Sequence, residues 1–276
     1  MIVPAGEIIR TARRGVGAFN AIQLEHAQAI VAGAETVGAP VILQLSENAV
    51  SYHGALAPVA LGLLALARAA AVPVAVHLDH ATDAGLVREA IELGFGSVMY
   101  DGSALSDVDN EAETRRMAQL CHHAGVWIEA ELGEVGGKDG VHAPGARTDP
   151  DQARRFVAAT GVDALAVAVG TSHAMLTLDA AVDLELVAAL RSSVPVPLVL
   201  HGSSGVPAAD LERAVEAGIT KVNIATQLNK VFTGAVREHL AAHPDVVDTR
   251  KYLRPGRDAM TAEVARLLTV LGAAKE

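Results

Sequence analysis

Residues 73–103, PVAVHLDHATDAGLVREAIELGFGSVMYDGS, contain the repeating unit from which the whole fold can be read. A β-rich run, 73–79, leads into an Ala/Leu-rich helical segment, 84–93, and then into a second β-rich run, 97–101. Proline at the entrance of a run is tolerated, because the first residue of a strand can lack an N–H. Both runs finish on chemistry: Asp79 and His80 close the first, Asp101 the second. Alternation puts His77 and Asp79 on one side of the strand. His80 faces the other way unless it already belongs to the turn.

The unit recurs along the chain. Six further β-rich runs lie at 16–20, 40–46, 126–132, 164–170, 197–201 and 221–225. Helical stretches fall between or after them at 24–36, 110–124, 150–159, 183–191 and 208–216. The central residues Ala18, Leu43, Val76, Met99, Glu129, Ala166, Val199 and Asn223 are 23 to 37 positions apart. A βαβ unit needs roughly 30 residues. Eight such runs predict one α/β domain over residues 1–276, a TIM (β/α)8 barrel with a C-terminal helical extension broken at 244–257. The rival, an open doubly wound sheet, is disfavoured by the count of eight and by the lack of a Gly-x-Gly-x-x-Gly turn after the first run.

Composition narrows the function. The chain has 276 residues, 51% of them hydrophobic but only 3% aromatic, so the core is built from Ala, Val and Leu. A net charge of −10 argues against nucleic-acid or anionic-membrane partners. Cys121 is the single cysteine, which excludes an intrachain disulfide and a cysteine zinc site and fits a reducing cytoplasm. The N-terminal residues carry no apolar signal core. The longest apolar stretch, around 61–76, is interrupted by Arg68 and Pro73 and is too short to span a bilayer.

Polar residues gather where the runs end: Asn20, Ser46, Asp79, His80, Asp101, Glu131, His173, His201 and Thr226. In a barrel those ends meet on one face, where active sites are built. His80, His173 and His201 come from three strand ends, a set suited to a divalent metal with open positions. Asp101 and Glu131 are partners that orient ligand histidines, an alternative metal position, or plain salt bridges and caps. The loop 133–140 is a lid carrying an acid/base group or a simple turn. Gly202, Ser203, Ser204 and Gly205, with Asn223 and Thr226, close the last two runs, where barrels commonly hold a phosphate. The five lysines (138, 221, 230, 251 and 275) avoid the C-terminal strand ends, and Lys221 opens its run at the opposite end. A Schiff-base mechanism has no well-placed amine.

Taken together, these motifs resemble the class II, metal-dependent ketose-bisphosphate aldolases, which act on fructose or tagatose 1,6-bisphosphate. The resemblance is carried in order by Gly17-Ala18-Phe19-Asn20, His77-Leu78-Asp79-His80, Met99-Tyr100-Asp101-Gly102-Ser103, Glu129-Ala130-Glu131-Leu132-Gly133, Pro197-Leu198-Val199-Leu200-His201-Gly202 and Lys221-Val222-Asn223-Ile224-Ala225-Thr226. Ala225 is more similar to the tagatose branch. The resemblance implies a zinc ion on His80, His173 and His201, with Asp101 and Glu131 at an alternative metal position. It implies that Asp79 handles the proton of the C4 oxygen. Gly202, Ser204, Asn223 and Thr226 would hold the first phosphate and a nearby monovalent cation, Na+ or K+. Asn20 and Ser46 would face the substrate. Arg250 would reach the distal phosphate in a neighbouring subunit, which implies a homodimer or larger homo-oligomer.

The chemistry agrees with the residues. Cleaving the C3–C4 bond leaves an enediolate, which a divalent ion stabilises as a Lewis acid while a carboxylate takes the C4 proton. The products expected are dihydroxyacetone phosphate and glyceraldehyde 3-phosphate. Two stretches depart from the family pattern. The loop reads Gly136-Gly137-Lys138-Asp139-Gly140, without the proton-carrying Glu usual after the glycines, which leaves the shorter Asp139 or the earlier Glu134 for that role, and His173 is followed by Ala174 rather than Gly. These departures keep two other readings in view: an aldolase for a monophosphorylated or acidic keto sugar, and a non-catalytic sugar-phosphate binding protein.

Overall fold

The computed structural model describes residues 1–132, 147–171 and 180–273. The chain begins with α1 (Ala5–Thr11), β1 (Val16–Asn20), α2 (Leu24–Val37), β2 (Val41–Ser46), α3 (Glu47–His53), α4 (Ala57–Ala69) and β3 (Val74–Ala81). It continues through α5 (Ala84–Leu93), β4 (Ser97–Tyr100), α6 (Asp107–His123), β5 (Trp127–Leu132), α7 (Pro150–Thr160) and β6 (Ala164–Val167). The last part is α8 (Leu184–Ser193), β7 (Leu198–Leu200), α9 (Ala208–Ala217), β8 (Ile219–Ile224), α10 (Thr226–Ala242) and α11 (Thr249–Val270). The eight strands are parallel and close into a barrel, β8 pairing back onto β1 with Ala18 opposite Asn223. This is the expected TIM barrel.

Several boundaries differ from the sequence reading for physical reasons. β3 runs two residues past Asp79, and its pairing with β4 shifts register between Leu78 and Ala81. β8 starts at Ile219, so Lys221 is its third residue and not its first. The break expected at 244–257 is shorter: α11 begins at Thr249, where Asp248 caps the helix by accepting from the Arg250 N–H. Pro255 sits inside α11 without ending it. The helices α1, α3 and α4 were not read from sequence. α4 and β3 merge into one apolar stretch, with only the turn around Pro73 between them.

Strand alternation divides the inward side chains into layers. At the N-terminal end Val16, Ala18, Ile42 and Ala75 pack on Ala5, Ile8 and Ile9 of α1, which plugs the barrel floor. On another side of the lumen Met99, Ala164, Ala166 and Val199 form a small apolar cluster. Above the floor the filling turns polar: Gln44, His77, Glu129 and Lys221 are all fully buried. The outward strand faces join the helices in the main core, at roughly 1.5–3 kcal/mol for each large side chain buried. α11 crosses α2 at Gly33, where any Cβ would lie 2.7 Å from both the Thr261 carbonyl oxygen and Val264 Cβ. The glycine permits the close approach by which the C-terminal helix seals the first one.

Candidate active site

His80 reaches the barrel mouth through a backbone irregularity. It is the one described non-glycine residue with positive φ, at 53°. That left-handed conformation costs roughly 1–2 kcal/mol and coincides with the β3–β4 register shift. The twist breaks simple alternation, so consecutive residues Asp79 and His80 both serve the mouth. His80 Nδ1 lies 2.7 Å from Asp101 Oδ2, and Asp101 Oδ1 accepts from the Ser103 N–H at 3.1 Å and hydroxyl at 2.6 Å. Because a carboxylate only accepts, the contact places the hydrogen on Nδ1 and directs the Nε2 lone pair outward.

His201 follows β7 and is fully buried. Its ring stands edge-on to that of His80, with centroids 4.6 Å apart. His201 Nδ1 is 3.4 Å from Glu131 Oε2, and Nε2 is 3.0 Å from Glu129 Oε1. The Thr171 hydroxyl donates to the His201 carbonyl at 2.6 Å and fixes the strand end.

Asp79 is buried and accepts from Asn20 Nδ2 at 2.7 Å and Asn223 Nδ2 at 3.2 Å. Gln44 Nε2 in turn donates to Asn20 Oδ1 at 3.0 Å, so the amides form a directed chain towards the carboxylate. Burial by itself would raise the Asp79 carboxyl. The field of His80, His201, Lys221 and His77 outweighs it and holds the group well below the usual carboxylate range. His77 lies below, with Nδ1 2.8 Å from the Ser97 hydroxyl. Burial first, then Lys221, pushes His77 down to about 3, so it is neutral at any working pH.

Two overlapping groups have ligand atoms within 4.8 Å of one another: Asp79, His80 and His201, and His80, Asp101 and Glu131. The donor set suits a divalent ion, combining two imidazoles with oriented lone pairs and carboxylates from two more strands. In the tautomer with its hydrogen on Nε2, His201 Nδ1 and Glu131 Oε2 face each other as two acceptors, an arrangement that a cation stabilises. The structure thus brings together Asp79, His80, His201, Asp101, Glu131, Asn20 and Asn223. His173 and Asp139 lie outside the described residues, as do the other loop positions 133–140 and Ala174.

On the mouth's other side, Gly202 is left-handed (φ 65°) and Ser203–Gly205 form a single 3-10 turn. The Ser203 hydroxyl donates to the Asn223 carbonyl, tying this turn to β8. Ser204 Oγ accepts from the Gln227 N–H at 3.2 Å, beside Thr226 at the first turn of α10. Ser46 caps α3, its hydroxyl accepting from the Ala49 N–H at 3.2 Å. Arg250, at the start of α11, is exposed and clasps Asp248 through Nε at 3.0 Å and Nη2 at 2.9 Å. Sequence reading missed Lys221 as a site element. It points into the lumen and donates to Glu129 Oε2 at 2.7 Å, both side chains fully buried. The inward parity of Lys221 with Asn223 was the available signal.

Comparison with known proteins places the chain in a family. The family model for class-II fructose-bisphosphate aldolase matches residues 5–276. A fructose-bisphosphate aldolase of Thermus caldophilus is 40% identical over 303 aligned positions, covering 99% of this chain and 98% of the relative. The crystal structure of the YdjI aldolase from Escherichia coli K12 superposes with a TM-score of 0.87 at 30% identity, covering 99% of this chain and 98% of that one. A fructose-bisphosphate aldolase structure from Campylobacter jejuni, at 24% identity and a TM-score of 0.81, shares the fold over 99% of this chain and 96% of its own. This chain belongs to the class-II fructose-bisphosphate aldolase family and is an aldolase.

Proposed function

We propose that this aldolase reversibly cleaves a ketose 1,6-bisphosphate into dihydroxyacetone phosphate and glyceraldehyde 3-phosphate, with zinc as its divalent ion. The reading is carried by one observation: two imidazoles and three carboxylates from four different strand ends converge on a single barrel mouth. Family membership and the Thermus relative's name support the bisphosphate class, and Ala225 favours the tagatose type. His80 and His201 hold the ion, with His173 as the third ligand; Asp101 and Glu131 line a second position. When bound, the ion acts as a Lewis acid towards the negative charge that develops on the ketone side.

The chain's own groups do the rest. Asp79 takes the proton from the C4 hydroxyl as the C3–C4 bond breaks and returns it in the condensation direction. Asn20 and Asn223 aim its two oxygens through charge-assisted hydrogen bonds. Asp101 fixes His80. Gly202, Ser204, Asn223 and Thr226 hold the first phosphate beside the N-terminus of α10, whose dipole favours an anion; a sodium or potassium ion shares that corner. Asn20 and Ser46 meet the sugar hydroxyls. Asp139 delivers the second proton, to C3 of the dihydroxyacetone phosphate half, and takes it back in the condensation direction. Arg250 serves the distal phosphate of a neighbouring subunit, so the working form is a homodimer or larger homo-oligomer, and it acts in the cytoplasm.

The test is a substrate panel with zinc-loaded protein, following dihydroxyacetone phosphate release. Fructose and tagatose 1,6-bisphosphates are set against monophosphorylated and acidic keto sugars. Turnover of a bisphosphate at least tenfold above the others is expected. Preference for a monophosphate or an acidic sugar would overturn the bisphosphate assignment, and tight binding without turnover would overturn catalysis.

A further inference from the structure

Below the mouth lies a buried charge pair that the chemistry above leaves unused. Lys221 Nζ donates to Glu129 Oε2 at 2.7 Å, and the two residues are 92 positions apart in the chain. Both side chains are fully buried, and taking such a pair out of water is costly enough that packing alone does not account for it. The second oxygen of the same carboxylate, Oε1, is 3.0 Å from His201 Nε2. A carboxylate oxygen paired with an ammonium has no hydrogen to give, so the hydrogen in this contact belongs to the imidazole. Asn223 Nδ2 also comes within 3.1 Å of His201 Nε2; one of its two hydrogens goes to Asp79 Oδ1, and it is the Glu129 carboxylate, able only to accept and the nearer of the two partners, that calls for a hydrogen on Nε2. With the hydrogen on Nε2, the neutral ring carries its lone pair on Nδ1, the nitrogen that faces Glu131 at the mouth.

We propose that Lys221 and Glu129 are positioning residues for His201: the buried Lys221–Glu129–His201 chain pins the imidazole hydrogen on Nε2 and aims the Nδ1 lone pair at the metal position. Lys221 fixes Oε2, which turns Oε1 to the ring. Glu129 then selects one of two tautomers, as carboxylates behind ligand histidines do elsewhere. The tautomer assignment stands by itself; the aim at a metal rests on the proposed function.

The experiment separates the two. Metal-free 15N-labelled protein is examined by long-range proton–nitrogen correlation at pH 8, with His201 identified by the signals lost in His201→Asn. A protonated Nε2 is expected; a lone pair on Nε2 overturns the proposal, and this readout needs no variant of the pair. Zinc affinity is then measured by chelator competition in wild type and in Glu129→Gln/Lys221→Met, which removes both charges so that neither is left buried alone. A roughly 10–100-fold weaker zinc affinity, with an Nδ1–H signal emerging at His201, is expected. A folded double variant whose zinc affinity stays within threefold and whose tautomer is unchanged overturns the positioning role. If even wild type fails to bind zinc, the metal reading and the second half of the proposal fall, while the tautomer still decides the first half.

Discussion

Replacing Asp79 by Asn separates proton handling from both architecture and metal binding. The substitution keeps the shape and removes the charge. Asp79 accepts from Asn20 at 2.7 Å and from Asn223 at 3.2 Å. The new amide can turn its oxygen towards Asn20, whose orientation is already fixed by Gln44. Its NH2 group then faces the Asn223 amide, which can flip, because the Asn223 oxygen has no partner to lose. Both contacts therefore survive as neutral hydrogen bonds. Each falls from about 1.5–3 kcal/mol, with a charged acceptor, to about 0.5–1.5. The stability cost sums to about 2 kcal/mol, or a fall in Tm of roughly 5 °C for a chain of this size. A lost general base costs about 10²–10⁴ in rate, or roughly 3–5 kcal/mol in the barrier. The assay follows kcat for bisphosphate cleavage beside calorimetry and bound-zinc content. Expected are a kcat at least a hundredfold lower, a modestly lowered Tm and full zinc occupancy. Turnover within threefold of wild type would refute the acid/base role. Loss of zinc would make Asp79 a ligand instead, which its proximity to His80 and His201 also permits geometrically.

Other perturbations read other parts of the molecule. Chelation of the ion is expected to lower Tm, since a ligand present at 100 times its Kd stabilises by about 2.7 kcal/mol; a Tm indifferent to chelator and zinc would remove the metal site. Gly102→Ala drives a methyl group into Asn110 Oδ1 and to 3.0 Å from Asn110 Cγ, and Asn110 Nδ2 donates to the Glu131 carbonyl at 3.3 Å. A loss of about 1–3 kcal/mol in urea unfolding, with weakened zinc affinity, is the expected result. Arg250→Ala removes only an exposed, solvent-screened ion pair. It should leave Tm unchanged and raise KM, and mixing it with Asp79→Asn subunits should regain activity only if Arg250 acts across subunits.

His26 supplies a pH signature. Its ring packs edge-on to Phe232 at 4.7 Å, Nδ1 accepts from the Ile22 N–H, and burial pushes its pKa down from 6.5 to about 4. The folded protein thus needs the neutral ring, while the unfolded chain takes up a proton below pH 6.5. This contribution is complete above pH 6.5, declines as pH falls, and amounts to a loss of about 3 kcal/mol at pH 4. Urea titrations of His26→Gln between pH 7 and 4 should show a shallower decline than wild type; parallel curves would exclude the linkage.

What the sequence disclosed follows from which forces are local. The β-rich runs and the Ala/Leu-rich helices repeat at unit length, so the sequence itself predicts a barrel, and the eight strands close into one. Polar residues ending apolar strands pointed to Asp79, His80, Asp101, Glu131 and His201, and the fold brings them together. Local pattern did not reveal the irregularity at His80, because a positive φ in a histidine leaves no mark on its neighbours. Nor did it reveal the purpose of Lys221. A lysine in an apolar run looks misplaced until the partner on β5, distant in the chain, is seen to face it across the lumen. The segment 47–53 is too short for helical periodicity to register, and Asp248 turns an apparent linker into a helix start.

Sealing α2 with α11, and β1 with β8, dictates how the polypeptide must be made. Until β8 has left the ribosome one edge of β1 lacks its neighbour, and until Thr249 and the residues beyond follow, Gly33 lacks the helix that covers it. At about 5–20 residues per second, the nascent N-terminal half waits roughly 10–40 s between completing α2 and receiving α11. Throughout that interval it carries an uncovered apolar flank and an open strand edge, which makes it a natural client for chaperones during synthesis.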